Sequence, residues 1–442
     1  VNRFFYTAAF RTFSPLLLMY MGLRARRAGG AWQVCSKARF ALFGAAPSPF
    51  VDAVWVHAVS LGETRAAEPL IRALLNQGER VLLTHMTVTG REEGARAFAE
   101  AIATGQLVQQ WLPYDFPGAT RRFFEHYRLS AGIIIEREVW PNLMAAGVRA
   151  KVPLMLASAR LSDQALRSSI RLGAVMRQAY RSFSVIYAQT LQDAHRLEHA
   201  GARGVRVSGN LKFDVLLPEA KIARGRQFAQ SLARRIIVIA STREGEDEWF
   251  ADAIERYMRK VRDAASGLQE PVLFVIVPRH PQRFEPLEQI LQQKQLSYVK
   301  RSTLISLGDG STSALEACQQ VDVLLGDTLG EMHWYYALAK IAIVAGSFAP
   351  FGGQNFIEAS AIGIPVIVGP HTRHFEQAVH DAVEANAVLR INNADNAVQL
   401  ALELLDQPAR LHSLSDSALH WVQMHTGSVS RVIAGLKEIR MK

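Results

Sequence analysis

The chain has 442 residues, of which 49% are apolar, a formal charge of +10 and two cysteines, Cys35 and Cys318. That length exceeds what one ordinary core serves, so two α/β domains are expected, with no solenoid repeat and no long disordered tract. Two cysteines so far apart exclude a disulfide framework and a cysteine-rich metal site. The basic excess admits nucleic acid, an anionic membrane or an anionic substrate.

The stretch from Phe4 to Leu23 is apolar apart from Arg11 and a few small polar residues, with Pro15 in its middle. Its length is that of a membrane span, but Arg11 and Pro15 both count against a clean one. Arginines follow it directly, which is wrong for an export signal and predicts that the bulk of the chain stays cytoplasmic. Residues 1–30 are therefore read as an anchor, spanning or lying in the interface, against the plainer alternative of an amphipathic first helix packed on its domain. Arg24, Arg26, Arg27, Lys37 and Arg39 crowd behind it and read as basic surface facing anionic headgroups. No zinc finger or RNP-type aromatic sheet accompanies them, so nucleic acid is not expected as a partner.

After Pro47 strands and helices alternate. Strands are expected at Val54–Ser60, Arg80–Thr84, Ala131–Ile135, Val152–Ala157 and Ser184–Ala188. The helix after the first has apolar positions at Ala67, Leu70, Ile71 and Leu74 and stops at Asn76–Gly78. Between Asp214 and Gln227 strand signals vanish. They restart at Arg235–Ala240, Val272–Val277, Ala342–Ala345 and Pro365–Val368. Short apolar strands separated by helices imply a parallel sheet covered on both faces, here twice. Two Rossmann-like halves with a cleft between them suit a ligand bound at both sets of strand ends. Neither half carries G-x-G-x-x-G or G-x-x-x-x-G-K-[ST], which argues against a dehydrogenase and a P-loop NTPase.

Functional groups of such sheets sit at the carboxyl ends of strands. In the first half these are His57, Ser60, Gly62 and Glu63, then Glu136 and Glu138. In the second half they are Arg243, Glu244, Arg279 and His280, then Asn355 and Glu358. Carboxylates in one half suit deprotonation of a hydroxyl, and cations and amides in the other suit phosphate. Glu63, taken alone, is equally a helix-opening acid favoured by the macrodipole. Gly352 and Gly353 ahead of a helix are expected to offer bare N–H groups to an anion, with Glu358 one turn inside. Gly326–Glu331 likewise follows a strand and opens a helix. No D-x-D triplet or metal-spaced histidine cluster occurs, so no metal and no cofactor are expected, which suits a sugar donor with a single phosphate.

In order, His57–Thr64, Leu112–Asp115, Glu136–Asn142, Ala159–Ser162, Gly209–Asp214, Arg243–Glu246, Val277–Pro281, Gly326–Glu331 and Gly352–Glu358 closely resemble the 3-deoxy-D-manno-octulosonic acid (Kdo) transferases of lipopolysaccharide biosynthesis. The resemblance runs along nearly the whole chain. It implies an α/β GT-B fold, two Rossmann-like domains with parallel sheets facing a central cleft, here 31–215 for the acceptor and 216–442 for the CMP-sugar, the last helix crossing back. It implies transfer of Kdo from CMP-Kdo to a lipid A precursor (lipid IVA) at the cytoplasmic face of the inner membrane. Glu63 is then the base, with Glu136 and Lys212 stabilising the transition state. CMP contacts fall on Pro278 and Arg279, on Leu329, Gly330 and Glu331, and on Asn355, Phe356, Ile357 and Glu358. Arg137 and Gln354 depart from the expected pattern and bear on fine specificity. A sugar-nucleotide epimerase of the same two-domain build is the alternative; the apolar N-terminus and its basic cluster argue against it.

Overall fold

The computed structural model describes residues 1–27, 32–44, 50–215, 217–263 and 272–441. Pro47, where alternation is expected to begin, and the boundary positions 30, 31 and 216 lie outside the described residues. The chain forms two compact units, Val1–Asp214 with His425–Lys442, and Val215–Met424.

The first unit holds β1 (Val54–His57), β2 (Val81–His85), β3 (Leu107–Trp111), β4 (Ala131–Ile135), β5 (Leu154–Ala159), β6 (Val185–Ala188) and β7 (Val205–Val207). They pair in parallel in the order β3-β2-β1-β4-β5-β6-β7. Continuous apolar runs work here because successive side chains feed opposite faces. Val54, Val56, Ile133 and Ile135 enter one core, and Trp55 and Ile134 the other. The second unit holds β8 (Ile236–Thr242), β9 (Leu273–Pro278), β10 (Tyr298–Lys300), β11 (Val323–Leu325), β12 (Ile341–Val344), β13 (Val366–Val368) and β14 (Val388–Arg390). Its parallel order is β10-β11-β9-β8-β12-β13-β14. Chain direction across each sheet reverses once, between β1 and β4 and between β8 and β12.

The last helix, Ser428–Arg440, belongs to the first unit. Asp214 accepts the N–H groups of Gly427 (2.6 Å) and Val429 (2.7 Å), and Val432, Leu436 and Ile439 enter the core.

The first helix, Arg3–Arg27, contains Pro15. Its inner face is tied down by polar contacts. The Tyr6 hydroxyl donates to Asp115 (2.9 Å), that of Thr7 to Asn142 (3.0 Å), and Phe10 meets Phe116 edge-on. Asp115 is fully buried and also accepts the N–H of Asn142 and Leu143, yet burial lifts its carboxyl to about 6. The opposite face exposes Phe5, Phe13, Leu16, Met19, Tyr20 and Leu23. No described helix is long and apolar enough to cross a membrane.

The basic cluster behind that helix is not all surface. Arg39 is 1% exposed, lies 4.0 Å from the centre of the Trp111 ring and donates to the Met86 carbonyl (2.8 Å). Burial lowers its pKa to about 10, so it is a core residue and not a lipid-facing charge. Arg26 and Lys37 are exposed.

Gly132 in β4 shows how tightly this sheet is covered. A Cβ there would lie 2.6 Å from Trp55 and 2.8 Å from Leu154. Gly132→Ala is expected to destabilise the first unit by about 1–3 kcal/mol through overpacking, read as a lower urea midpoint.

Candidate catalytic and nucleotide-binding sites

In the first unit the loop after β1 enters the helix Leu61–Asn76, with Ser60 as N-cap. Ser60 Oγ accepts the Glu63 N–H (3.4 Å), while the Glu63 carboxylate reaches back to accept the Val59 N–H (2.5 Å). This is close to a capping box, and it explains why an acid occupies the third helical position. The side chain is nevertheless 8% exposed. Burial and the nearby Glu136 charge raise its pKa to about 7, against the lowering effect of the Val59 hydrogen bond.

Glu136 leaves β4 in a left-handed conformation, φ +64°, and is 3% exposed. Arg160 contacts its Oε2 through Nε (2.8 Å) and Nη2 (2.7 Å), and Lys212 Nζ lies 3.7 Å from Oε1. Lys212 is set by the Asn210 side chain, which accepts its N–H (3.0 Å). Glu63, Glu136 and Lys212 are thus brought together, with Arg160 added at the end of β5. Arg160 is not among the site residues expected from sequence, and its signal there is its place directly after a strand end. The partners of Glu136 are these two cations and not its neighbour Arg137. Glu138 instead accepts from the Trp140 indole (2.7 Å). His57 is fully buried with Nδ1 2.9 Å from Thr84 Oγ1, and burial lowers its pKa to about 3. It is a core histidine whose surroundings favour the neutral ring.

In the second unit, Pro278 ends β9, and the Arg279 N–H donates to the Thr242 carbonyl (3.0 Å). The helix Met332–Leu338 links the other groups. Its Tyr336 feels both Glu358 and Arg279 electrostatically, and its His333 Nε2 is 4.0 Å from Glu358. Asn355 accepts the Ile357 N–H (3.2 Å) and donates to Glu358 (2.8 Å). Arg279, Asn355 and Glu358 therefore share one neighbourhood.

Other expected contacts differ. Phe356 and Ile357 are core side chains, Phe356 stacking on Trp421, so only their backbone is available to a ligand. The Glu331 carboxylate is held by buried Arg301 (3.1 and 3.2 Å) and by the Thr328 hydroxyl (2.5 Å). Leu329 is 71% exposed. The helix after the glycine pair is only Ile357–Ala361, and the Gly353 N–H is taken by the Gly346 carbonyl (2.7 Å). With φ of +91° and +84°, Gly352 and Gly353 shape the turn, and the Gly353 N–H is not free for an anion.

A family model described as 3-deoxy-D-manno-octulosonic-acid transferase (kdotransferase) matches residues 35–215. A 3-deoxy-D-manno-octulosonic acid transferase of Bordetella pertussis is 49% identical over 439 residues, covering 99% of each chain. The chain belongs to the Kdo transferase family. It is a glycosyltransferase of GT-B fold, and the family name ties it to lipopolysaccharide. Among solved structures, UDP-GlcNAc 2-epimerase from Neisseria meningitidis bound to UDP-GlcNAc is similar with a TM-score of 0.54 at 15% identity, covering 87% of this chain and 99% of that one. A glycosyltransferase from Rickettsia africae gives 0.54 at 12% identity, covering 88% and 98%. These two likenesses are of fold alone, and the epimerase alternative has no other support.

A base must be ionised to accept a proton. With Glu63 in that role, the kcat/KM of the Kdo transferase is expected to rise with pH and level off above about 7, dropping about tenfold per unit below. Glu136→Gln removes a like charge, so the residual activity should show its midpoint at lower pH. An unmoved midpoint would detach Glu63 from Glu136.

Proposed function

We propose that this Kdo transferase moves Kdo from CMP-Kdo to a sugar hydroxyl of a lipid A precursor, lipid IVA, with inversion, and that Glu63 is the general base. The observation that carries the reading is a nearly buried carboxylate whose pKa is raised to about 7 beside a second carboxylate held by two cations. Glu63 takes the hydroxyl proton as that oxygen bonds to the anomeric carbon of Kdo. The bond from that carbon to the phosphate oxygen breaks, and CMP leaves with the electron pair. Glu136 and Lys212 stabilise charge in the transition state. Pro278 and Arg279, the backbone of Leu329–Glu331 and the Asn355–Glu358 segment hold CMP, with Asn355 and Glu358 offering acceptors and an amide to sugar hydroxyls and base edges. No metal or cofactor has a part in this scheme; one phosphate leaves as a monoester that arginine can offset.

The acceptor places the enzyme at the cytoplasmic face of the inner membrane, lying on it rather than spanning it. The exposed apolar stripe from Phe5 to Leu23 supports this, because the inner face of the same helix is already committed to Asp115 and Asn142. The adjoining helices Asp163–Leu172 and Ala174–Arg181 expose Arg167, Arg171, Arg177 and Arg181 beside Ile170 and Leu172, a composition suited to anionic headgroups.

Incubating the enzyme with CMP-Kdo and tetra-acylated lipid IVA is expected to add whole Kdo masses to the lipid. An unchanged lipid mass, or epimerisation of the nucleotide sugar without acceptor, would overturn the reading. Glu63→Gln should lower turnover by about two decades or more while CMP binding stays near normal; near-full activity would remove Glu63 as base. Deleting residues 1–23 should release the enzyme from inner-membrane fractions, and continued sedimentation with them would count against the anchor.

A further inference from the structure

The helix Glu246–Asp263 opens with two adjacent carboxylates that have no exposed surface, Glu246 and Asp247. Asp247 is paired with Arg283, just beyond the Pro278–Pro281 turn. Glu246 has a different set of partners, all of them backbone. Its Oε2 accepts the N–H of Arg243 (2.9 Å) and of Gly346 (2.6 Å); its Oε1 accepts the N–H of Phe348 (2.9 Å) and of Ala349 (3.0 Å). A carboxylate out of water is costly unless its lone pairs are filled, and about four such positions exist on its two oxygens. Here all four are filled, by two loops a hundred residues apart in sequence.

Those loops leave β8 and β12, the two strands that flank the reversal of chain direction in this sheet. The second loop runs straight into the segment that carries Asn355 and Glu358. Its Gly346 carbonyl accepts the Gly353 N–H (2.7 Å), and the Gln354 side chain occupies the space a Cβ on Gly346 would need, 2.8 Å away. The first loop carries Arg243, whose guanidinium lies 4.4 Å from the centre of the Phe351 ring. The chain from Gly346 to Gln354 is thereby fixed at its start by Glu246, in its middle by Arg243 and at its end by Gly346.

We propose that Glu246 is a positioning residue for donor binding: its buried carboxylate staples the loop after β8 to the loop after β12 and holds the Asn355–Glu358 segment where it can grip the CMP moiety. The proposal rests on the reading that this segment contacts CMP. Glutamine at this position is nearly isosteric, but it turns one oxygen into an amide that points its own hydrogens at two N–H donors. The loop must then move away from it.

The test compares the wild-type chain with Glu246→Gln, using CMP titrated calorimetrically and steady-state transfer from CMP-Kdo to lipid IVA. The variant is expected to bind CMP roughly tenfold or more weakly and to raise KM for CMP-Kdo by a similar factor, with KM for the lipid unchanged. A loss of folded protein alone would scale kcat and leave both KM values where they were, so that result overturns the proposal. Equal CMP affinity in the two proteins overturns it alone, whereas a wild type that binds no CMP removes the donor-site reading with it. Hydrogen exchange on the wild type decides the matter should the variant not fold. The amides of Gly346, Phe348 and Ala349 are expected to exchange as slowly as β12 and slower still with saturating CMP. Exchange at the rate of an exposed loop, or exchange indifferent to CMP, overturns the proposal.

Discussion

Because all seven strands of each sheet run parallel, every loop that leaves a strand's carboxyl end emerges along the same edge of its sheet. Neighbouring loops usually turn the same way, each following its own helix to one face. Where chain direction across the sheet reverses, they part to opposite faces and leave room. In the first unit that point lies between β1 and β4, and the loops there carry Glu63 and Glu136. In the second it lies between β8 and β12, whose loops meet on Glu246. The place of these carboxylates in each unit is thus set by strand direction.

What the side chains add at these points is a set of carboxylates taken out of water and assigned different tasks by their neighbours. Glu246 faces only amide donors, so its charge is spent on holding backbone. Glu136 faces Arg160 and Lys212, which keep a negative group in place next to Glu63. Glu63 is buried, lies near the Glu136 and Glu138 charges and is held by backbone N–H, and the balance, with burial the largest part, raises its pKa to about 7. The helix-capping reading of Glu63 and the catalytic one are therefore compatible. The Val59 hydrogen bond fixes the carboxylate's position, while burial and Glu136 set its proton affinity.

The central strands were legible in sequence because both of their faces are buried, which demands unbroken runs such as Ala131–Ile135. All four sheet edges, β3, β7, β10 and β14, escaped the same reading. They are short or interrupted by polar residues, as in Leu107–Trp111 with its two glutamines and Tyr298–Lys300 with no fully buried position, because an edge strand keeps one side toward solvent. The site divides in a similar way. Glu63, Glu136 and Lys212 were found from motif order and do converge, yet Arg160 was not, since only pairing across β4 and β5 reveals its target. The side chains of Phe356 and Ile357, inside a motif, pack into the core, which leaves their backbone as the part open to a ligand. Arg39 went the same way, a charge counted as surface until Trp111 and Met86 enclosed it.

The likeness to epimerases marks where fold stops determining chemistry. Strand order and direction are common property at 12–15% identity, so they cannot distinguish a transferase from an epimerase. The backbone at Glu136 is a feature that this strand order does not require. A sheet of this order has no need of a non-glycine residue at φ +64°, which costs of order 1 kcal/mol or more. The conformation persists because two cations and a carbonyl–amide bond to Arg160 (3.3 Å) hold it from three directions. The charge held there acts on Glu63, just after β1. Strain maintained by that many partners, beside a carboxyl whose pKa it raises, is the kind of arrangement a proton transfer needs and a stable α/β scaffold does not.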